Sequence, residues 1–419
     1  MKRRDLLLLP LFIFYACQKP IPEKTTWAGT ITLAENRKLP LKLELDLTSS
    51  PFSGFFVVGD DRTAIPEIVK NGDSLGIILS EYGSAMLGEW DGKSWNGSFF
   101  RYRKDTVRLD FSASPESGAQ PEPPDSPAPG VRLVGTFQVY YNNPDGIDST
   151  TVAKFWAKGD SLFGTFLDPS GDHGLMAGTQ TGTTATLGRF TGWQANLIEL
   201  ERREGQWTGK YYARQIPPQL FSLVARPSIP SEPLDPRRTR MRKPLFPFTF
   251  AGITADGDTI RSTDSRFKGK VLIVDIMGTW CHNCLDEAPL LEQLYREYKG
   301  KGLEIVGLSF EITNDPALAK KNLDIYRKRH GLTFPLIFSG SLDASNVDAK
   351  IHNQLADFFA YPTSIFINKK GTVEHVHWGF KGPGTGEEYQ QEIARFYGYV
   401  QELLRDQTPS LSFGNMIGE

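Results

Sequence analysis

Short runs in which apolar and polar residues alternate, such as Leu41-Lys42-Leu43-Glu44-Leu45-Asp46-Leu47, recur from Trp27 to about Ser114 and are broken by Gly, Asp, Asn and Pro clusters. Alternation sends successive side chains to opposite faces, so this stretch predicts antiparallel β-structure with one face buried. The pattern stops at a polar segment, Glu116 to Gly130, that carries Pro121, Pro123, Pro124, Pro127 and Pro129, and this predicts a semi-rigid linker. Alternation resumes at Val131. The second β-region echoes the first in order: Gly29-Thr30 with Gly135-Thr136, Gly54-Phe55-Phe56 with Gly164-Thr165-Phe166, Trp95-Asn96-Gly97 with Trp207-Thr208-Gly209, and Phe111 to Pro115 with Leu223 to Pro227. The offsets are 106, 110, 112 and 112. Four anchors in the same order with so little drift suggest two copies of one β-module.

A further proline-containing stretch, Pro227 to Pro247, holds the basic run Arg237-Arg238-Thr239-Arg240-Met241-Arg242-Lys243, which reads as a solvated linker. From Val271 the period changes. An apolar strand is followed by a helical pattern, a strand at Leu303 to Ser309, a helical stretch after Asp315, and strands near Phe334 and Ser364. Strands alternating with helices predict an α/β layer with helices covering the sheet. The chain is 419 residues long, which suits two or three domains. The expected fold class is multidomain: an all-β N-terminal region of two related antiparallel modules (17–114 and 131–227), linkers at 115–130 and 228–246, an α/β domain at 247–406, and a tail at 407–419.

Charge narrows the partners. A formal charge of −2 from 47 basic and 49 acidic residues, with no long basic run interleaved with aromatics, argues against nucleic acid. At the start of the chain Lys2-Arg3-Arg4 precedes the apolar run Leu6 to Tyr15 and then Ala16-Cys17, the layout of a bacterial export signal too short to span a bilayer as a mature helix. Phe14-Tyr15-Ala16-Cys17 resembles a lipobox, although Phe and Tyr depart from its usual Leu and small residue. That resemblance implies cleavage after residue 16, a lipid on Cys17, and a periplasm-facing protein anchored to a membrane of the bacterial envelope. Of the 3 cysteines, Cys281 and Cys284 then remain as free thiols. Two thiols three residues apart must serve each other.

Val271-Leu272-Ile273-Val274-Asp275-Ile276-Met277 runs as a buried strand into the tight turn Gly278-Thr279-Trp280 and opens a helix with the apolar face Leu285, Ala288, Leu291, Leu294, Tyr295 and Tyr298. Cys281 is thereby placed at the helix N-terminus. The attacking species in thiol chemistry is the thiolate, which unsatisfied amides and the positive end of the helix dipole favour. Cys284, one turn on, can resolve a mixed disulfide. A structural zinc site would need two more ligands among His173, His282, His330, His352, His375 and His377, and none forms a pair at finger-like spacing. No metal is expected. In the β-modules, Asp73, Asp160, Trp90, Trp95, Trp193 and Trp207 read as turn-formers and core or rim aromatics.

The segment Gly278-Thr279-Trp280-Cys281-His282-Asn283-Cys284 with Glu287 and Pro289 resembles the active site of thioredoxin-fold oxidoreductases of the TlpA/ResA type. Gly307 to Glu311, Tyr361-Pro362-Thr363-Ser364-Ile365-Phe366-Ile367 and Gly379 to Pro383 extend the likeness over about Pro247 to Leu404. The resemblance implies a C-terminal thioredoxin fold, a thiol–disulfide oxidoreductase without cofactor, Cys281 as nucleophile and Cys284 as resolving thiol. It also implies that Pro362 is the cis-proline facing the disulfide, with Trp280 and Tyr361 beside the substrate. Asp275 and Glu287 are alternative carriers of the Cys284 proton, and Glu287 could equally be an exposed residue of the first helical turns. His282, if protonated, would stabilise the Cys281 thiolate. Expected partners are exported thiol proteins as substrates and a membrane-bound electron donor. Two other readings stay open: a peroxiredoxin-like peroxidase, against which Thr279 stands two residues before Cys281 where three are usual, and a lipid-anchored binding protein with an accessory redox domain.

Overall fold

The computed structural model describes residues 25–33, 37–102, 106–116, 131–143, 146–213, 217–229, 237–244 and 246–405. The predicted leader, Cys17, most of the proline-rich linker and the tail 407–419 lie outside the described residues.

The alternation of the first β-region is realised side chain by side chain. In the strand Lys38–Asp46, Leu39, Leu41, Leu43 and Leu45 point into the core while the residues between them face outward. Nine antiparallel strands follow one another, and the first, Thr25–Thr32, pairs with both the second, Lys38–Asp46, and the last, Thr106–Pro115. The sheet stays open between Asp61–Ala64 and Glu67–Asn71. The second region repeats this course and closes fully: Gly135–Asn143 pairs with Val152–Lys158 on one side and with Gln219–Arg226 on the other. Closure removes the sheet edges that would otherwise invite pairing with other chains.

The four sequence anchors fall on corresponding strands of the two regions. Gly29 and Gly135 lie in the first strands, Gly54 and Gly164 in Ser53–Val58 and Ser161–Asp168, Trp95 and Trp207 in the penultimate strands, and Phe111 and Leu223 in the last. Trp95 and Trp207 are both buried, and Trp95 packs edge-on against Phe111 at 4.5 Å. Gly29 is required where it stands, since a Cβ there would collide with the backbone of Ser112 on the last strand.

The C-terminal domain is a seven-stranded sheet in the order Thr259–Arg261, Ala251–Thr254, Leu336–Ser341, Leu303–Glu311, Val271–Met277, Thr363–Ile367, Val373–Trp378. Its three middle strands, Leu336–Ser341, Leu303–Glu311 and Val271–Met277, are parallel. Val271–Met277 and Leu303–Glu311 are buried at every residue, as a sheet covered on both faces requires. Helices His282–Tyr298, Pro316–His330 and Glu387–Arg405 supply the cover.

The basic run before this domain departs from the expected solvated linker. Arg240–Met241 pairs with Leu355–Ala356, Thr239 is buried and donates to the carbonyl of Asp357 at 3.0 Å, and Arg240 forms an ion pair with Asp357. Backbone pairing and one neutralising carboxylate offset the charge that suggested solvation.

The three units are packed together. Phe190 of the second β-module lies against Phe56 and Phe99 of the first, at 5.5 and 5.1 Å, and Arg329 of the C-terminal domain reaches Glu81 of the first module at 2.7 Å, with 10% and 3% of the two side chains exposed. Breaking a buried pair strands a charge, whereas replacing both partners by apolar groups removes the desolvation cost as well. Arg329→Met is therefore expected to lower stability by about 3 kcal/mol and the double replacement Arg329→Met with Glu81→Met to recover most of it, both read from thermal unfolding of the full chain. Among the described residues no helix is long and apolar enough to cross a membrane.

Candidate active site

The strand Val271–Met277 delivers the chain to Gly278, and the turn that follows is held from below by a buried acid. Thr279 donates its backbone N–H and its hydroxyl to Glu311 at 3.0 and 2.6 Å, and Ser309 also donates to that carboxyl group. Burial raises the pKa of Glu311, while the Ser309 and Thr279 donors pull it back. Cys281 is the N-cap of helix His282–Tyr298, its Sγ accepting from the backbone N–H of Cys284 at 3.2 Å. The two cysteines are joined as a disulfide with Cα atoms 5.2 Å apart. Cys284 is buried, and its carbonyl accepts a 2.6 Å hydrogen bond from the Tyr326 hydroxyl.

Both candidate proton carriers are buried. Asp275 is 4% and Glu287 1% exposed, so Glu287 is not the solvent-facing residue that was one of its two expected readings. Ser364, which sits opposite Asp275 across the adjacent strand, donates to Glu287 Oε1 at 2.8 Å. Asp275 Oδ1 and Glu287 Oε2 have no hydrogen-bond partner among the described residues. Burial pushes the Asp275 carboxyl up to about 8. Burial first, and the neighbouring Asp275 second, hold Glu287 well above the usual carboxylate range. With Asp275 raising its neighbour Glu287, the two buried acids behave as one site sharing protons.

Pro362 follows a cis peptide bond from Tyr361, and its carbonyl accepts from Gly379 N–H at 2.8 Å. Trp280 donates its indole N–H to the Phe310 carbonyl at 2.8 Å and packs edge-on against Tyr361 at 5.4 Å. Trp280, next to Cys281 in the chain, thus meets Tyr361, which precedes Pro362.

His282 departs from its expected role. It is held well below its ordinary pKa by burial and then by the Arg189 guanidinium, whose Nη2 lies 3.4 Å from His282 Nε2. In the disulfide form the His282 imidazole is thereby kept neutral. The cation beside the site belongs instead to Arg189 of the second β-module, which also donates to the Leu175 carbonyl and pairs with Asp61 of the first module, both at 3.0 Å. Trp193, read from the sequence as a core or rim aromatic, stacks on Trp280 at 5.9 Å. Neither residue carries a local signal for this. Both reach the site because the second module docks on it, with Asn283 Nδ2 donating to the Ser170 carbonyl at 3.1 Å and Gly382 N–H to Asp172 Oδ1 at 2.7 Å.

A family model described as Redoxin matches residues 242–393. A thiol-disulfide oxidoreductase ResA of Halalkalibacterium halodurans is 31% identical over 138 residues, which cover 33% of this chain and 69% of that protein. The chain belongs to the ResA-like thiol–disulfide oxidoreductases. A second ResA, from Bacillus thuringiensis subsp. konkukian, is 33% identical over 127 residues, 30% of this chain and 65% of that relative. A thiol:disulfide interchange protein of the thioredoxin family from Chlorobium tepidum is 25% identical over 39% of this chain and 97% of its own, with a TM-score of 0.30. These two curated relatives match about a third of this chain, each over about two thirds of its own length. For this ResA-like chain the β-modules lie outside the residues that the Redoxin model matches.

Proposed function

We propose that the chain is an envelope disulfide reductase, lipid-anchored through Cys17, that passes two electrons from a membrane-bound donor to disulfides of exported thiol proteins. The observation that carries this reading is the Cys281–Cys284 couple at the start of a helix, in a domain that also holds a pair of buried acids, Asp275 and Glu287. In the reduced state the Cys281 thiolate attacks one sulfur of the substrate and displaces the other as a thiol. Cys284 then gives its proton to the Asp275–Glu287 pair and attacks Cys281 Sγ, which releases the second thiol and leaves the intramolecular disulfide. Tyr326 fixes the backbone of Cys284 for that step. Trp280 and Tyr361, beside Pro362, line the approach of the substrate.

Direction follows from the reduction potential, which spans about 150 mV among proteins built on this motif. Titrating the full chain in graded thiol buffers, with the fluorescence of Trp280 as readout, is expected to give a midpoint near that of thioredoxin, about −270 mV. A midpoint near −120 mV would reassign the protein to disulfide formation, and the absence of any redox transition would remove the catalytic reading.

A further inference from the structure

Cys281 is only 5% exposed, although it begins a helix at the edge of its domain. The cover comes from the second β-module. Its turn Ser170–Gly174 lies along the loop Trp378–Gly382, with Gly171 bridged to Phe380 and Asp172 anchored on Gly382 N–H. The approach is so close that a Cβ on Gly379 would stand 2.7 Å from the Ser170 carbonyl. Cys281 lines a cleft of about 260 Å³ between the module and the active-site helix. Trp193, Trp280 and Tyr211 line it with Gln194, and the acid Asp172 and the charged Arg189 border it.

Size decides what such a cleft admits. Small-molecule sites run from about 300 to 1,000 Å³, so this one takes a group about as large as one amino acid. A disulfide on a folded protein arrives with two chain segments and a surface, and stable protein contacts cover about 800 Å² on each partner. With the module docked, Cys281 lines, among the described residues, a cleft far smaller than such a contact. Aromatic faces with an amide edge, the charged Arg189 and the acid Asp172 suit a compact group with an apolar stem and charged or polar ends.

We propose that the second β-module completes the substrate site and that the cleft holds the small half of a disulfide: an aminothiol of cysteine size, joined either to a cysteine of an exported protein or to a second such thiol. This rests on the reductase reading and names its substrate class. The Cys281 thiolate attacks the sulfur of the small half, forming a bond to it as the bond to the other sulfur breaks. The other half leaves as a thiolate and takes a proton. Cys284 then displaces the small thiol from Cys281 and closes the intramolecular disulfide, so the dithiol loses two electrons and two thiols are released.

The test uses the reduced full chain in single-turnover mixing, followed by tryptophan fluorescence, with three oxidants: cystine, a peptide carrying a cysteinylated cysteine, and insulin as a protein with internal disulfides. Cystine and the cysteinylated peptide are expected to oxidise the chain at least tenfold faster per disulfide than insulin. Cystine alone being fast would identify the free disulfide as the source, and the peptide being as fast would identify the protein-borne one. Trp193→Ala and, as a milder change, Gln194→Ala are expected to slow cystine by fivefold or more and to narrow its advantage over insulin. Insulin reacting as fast as cystine, or an unchanged ratio in both variants, overturns the proposal and leaves the reductase standing. Failure of every oxidant, together with no transition in thiol buffer, brings down the reductase reading itself.

Discussion

Cys281→Ser is expected to abolish disulfide reduction, a loss on the order of 10³-fold or more with dithiothreitol as electron source. The remaining thiol, Cys284, is 1% exposed and lies under Cys281 with its backbone held by Tyr326, so it cannot stand in as nucleophile. Cys284→Ser has a different outcome. Its Cys281 still attacks and forms the mixed disulfide, but nothing resolves it, so the substrate half stays attached and is visible as added mass on the intact protein. Equal trapping by the two variants, or turnover surviving in Cys281→Ser, would contradict the assignment of roles.

Asp275→Asn is expected to slow the resolving step by about 10² to 10⁴-fold, the usual worth of a positioned acid or base, while making the protein more stable at neutral pH. The kinetic half of this follows from position and matching: a carboxyl group raised to about 8 sits close to the ordinary thiol value of about 8.5, so a proton moves between Cys284 and the acid pair at little cost. The stability half follows from linkage. An acid whose pKa is higher folded than unfolded keeps its proton in the native state after the unfolded chain has lost it. Native stability therefore falls as pH rises from about 4, the unfolded value, and levels off only above the folded value near 8. Removing that titration should stabilise the variant by a few kcal/mol at pH 7 and by almost nothing at pH 4. Glu287→Gln should act in the same direction with a milder rate effect, because Ser364 can still donate to the amide oxygen. Thermal unfolding across pH 4 to 8 checks both, and a loss of stability of the same size at every pH would show that Asp275 serves packing alone.

What could be read from the residues follows the range of the interactions involved. The strand–turn–helix around Cys281 is written in contiguous residues, as are the alternation of Leu39 to Leu45 and the order of the module anchors, and all of these are visible along the chain. Asp275 was visible too, because a carboxylate in an unbroken apolar strand needs a reason. Trp193 and Arg189 were not, since a tryptophan and an arginine in a strand look the same whether they meet solvent, a core or another domain's active site. Only the docking of Ser170–Gly174 and the Asp172 anchor bring them to Cys281 and His282, and those contacts join residues more than 100 positions apart. The surroundings of His282 were hidden for the same reason: its cationic neighbour Arg189 comes from a distant part of the chain.

The pairing of first and last strands in each β-module, Trp27 with Pro115 and Thr136 with Arg226, brings the chain out beside the point where it went in. A unit with adjacent ends can be inserted, duplicated or lost while its neighbours stay at the same distance from one another, which is why domains with close termini accept insertion readily. Tandem growth of the N-terminal region is thus open to this architecture without disturbing the redox domain, and each added copy is free to diverge. Here one copy meets the catalytic face and the other braces it from the side.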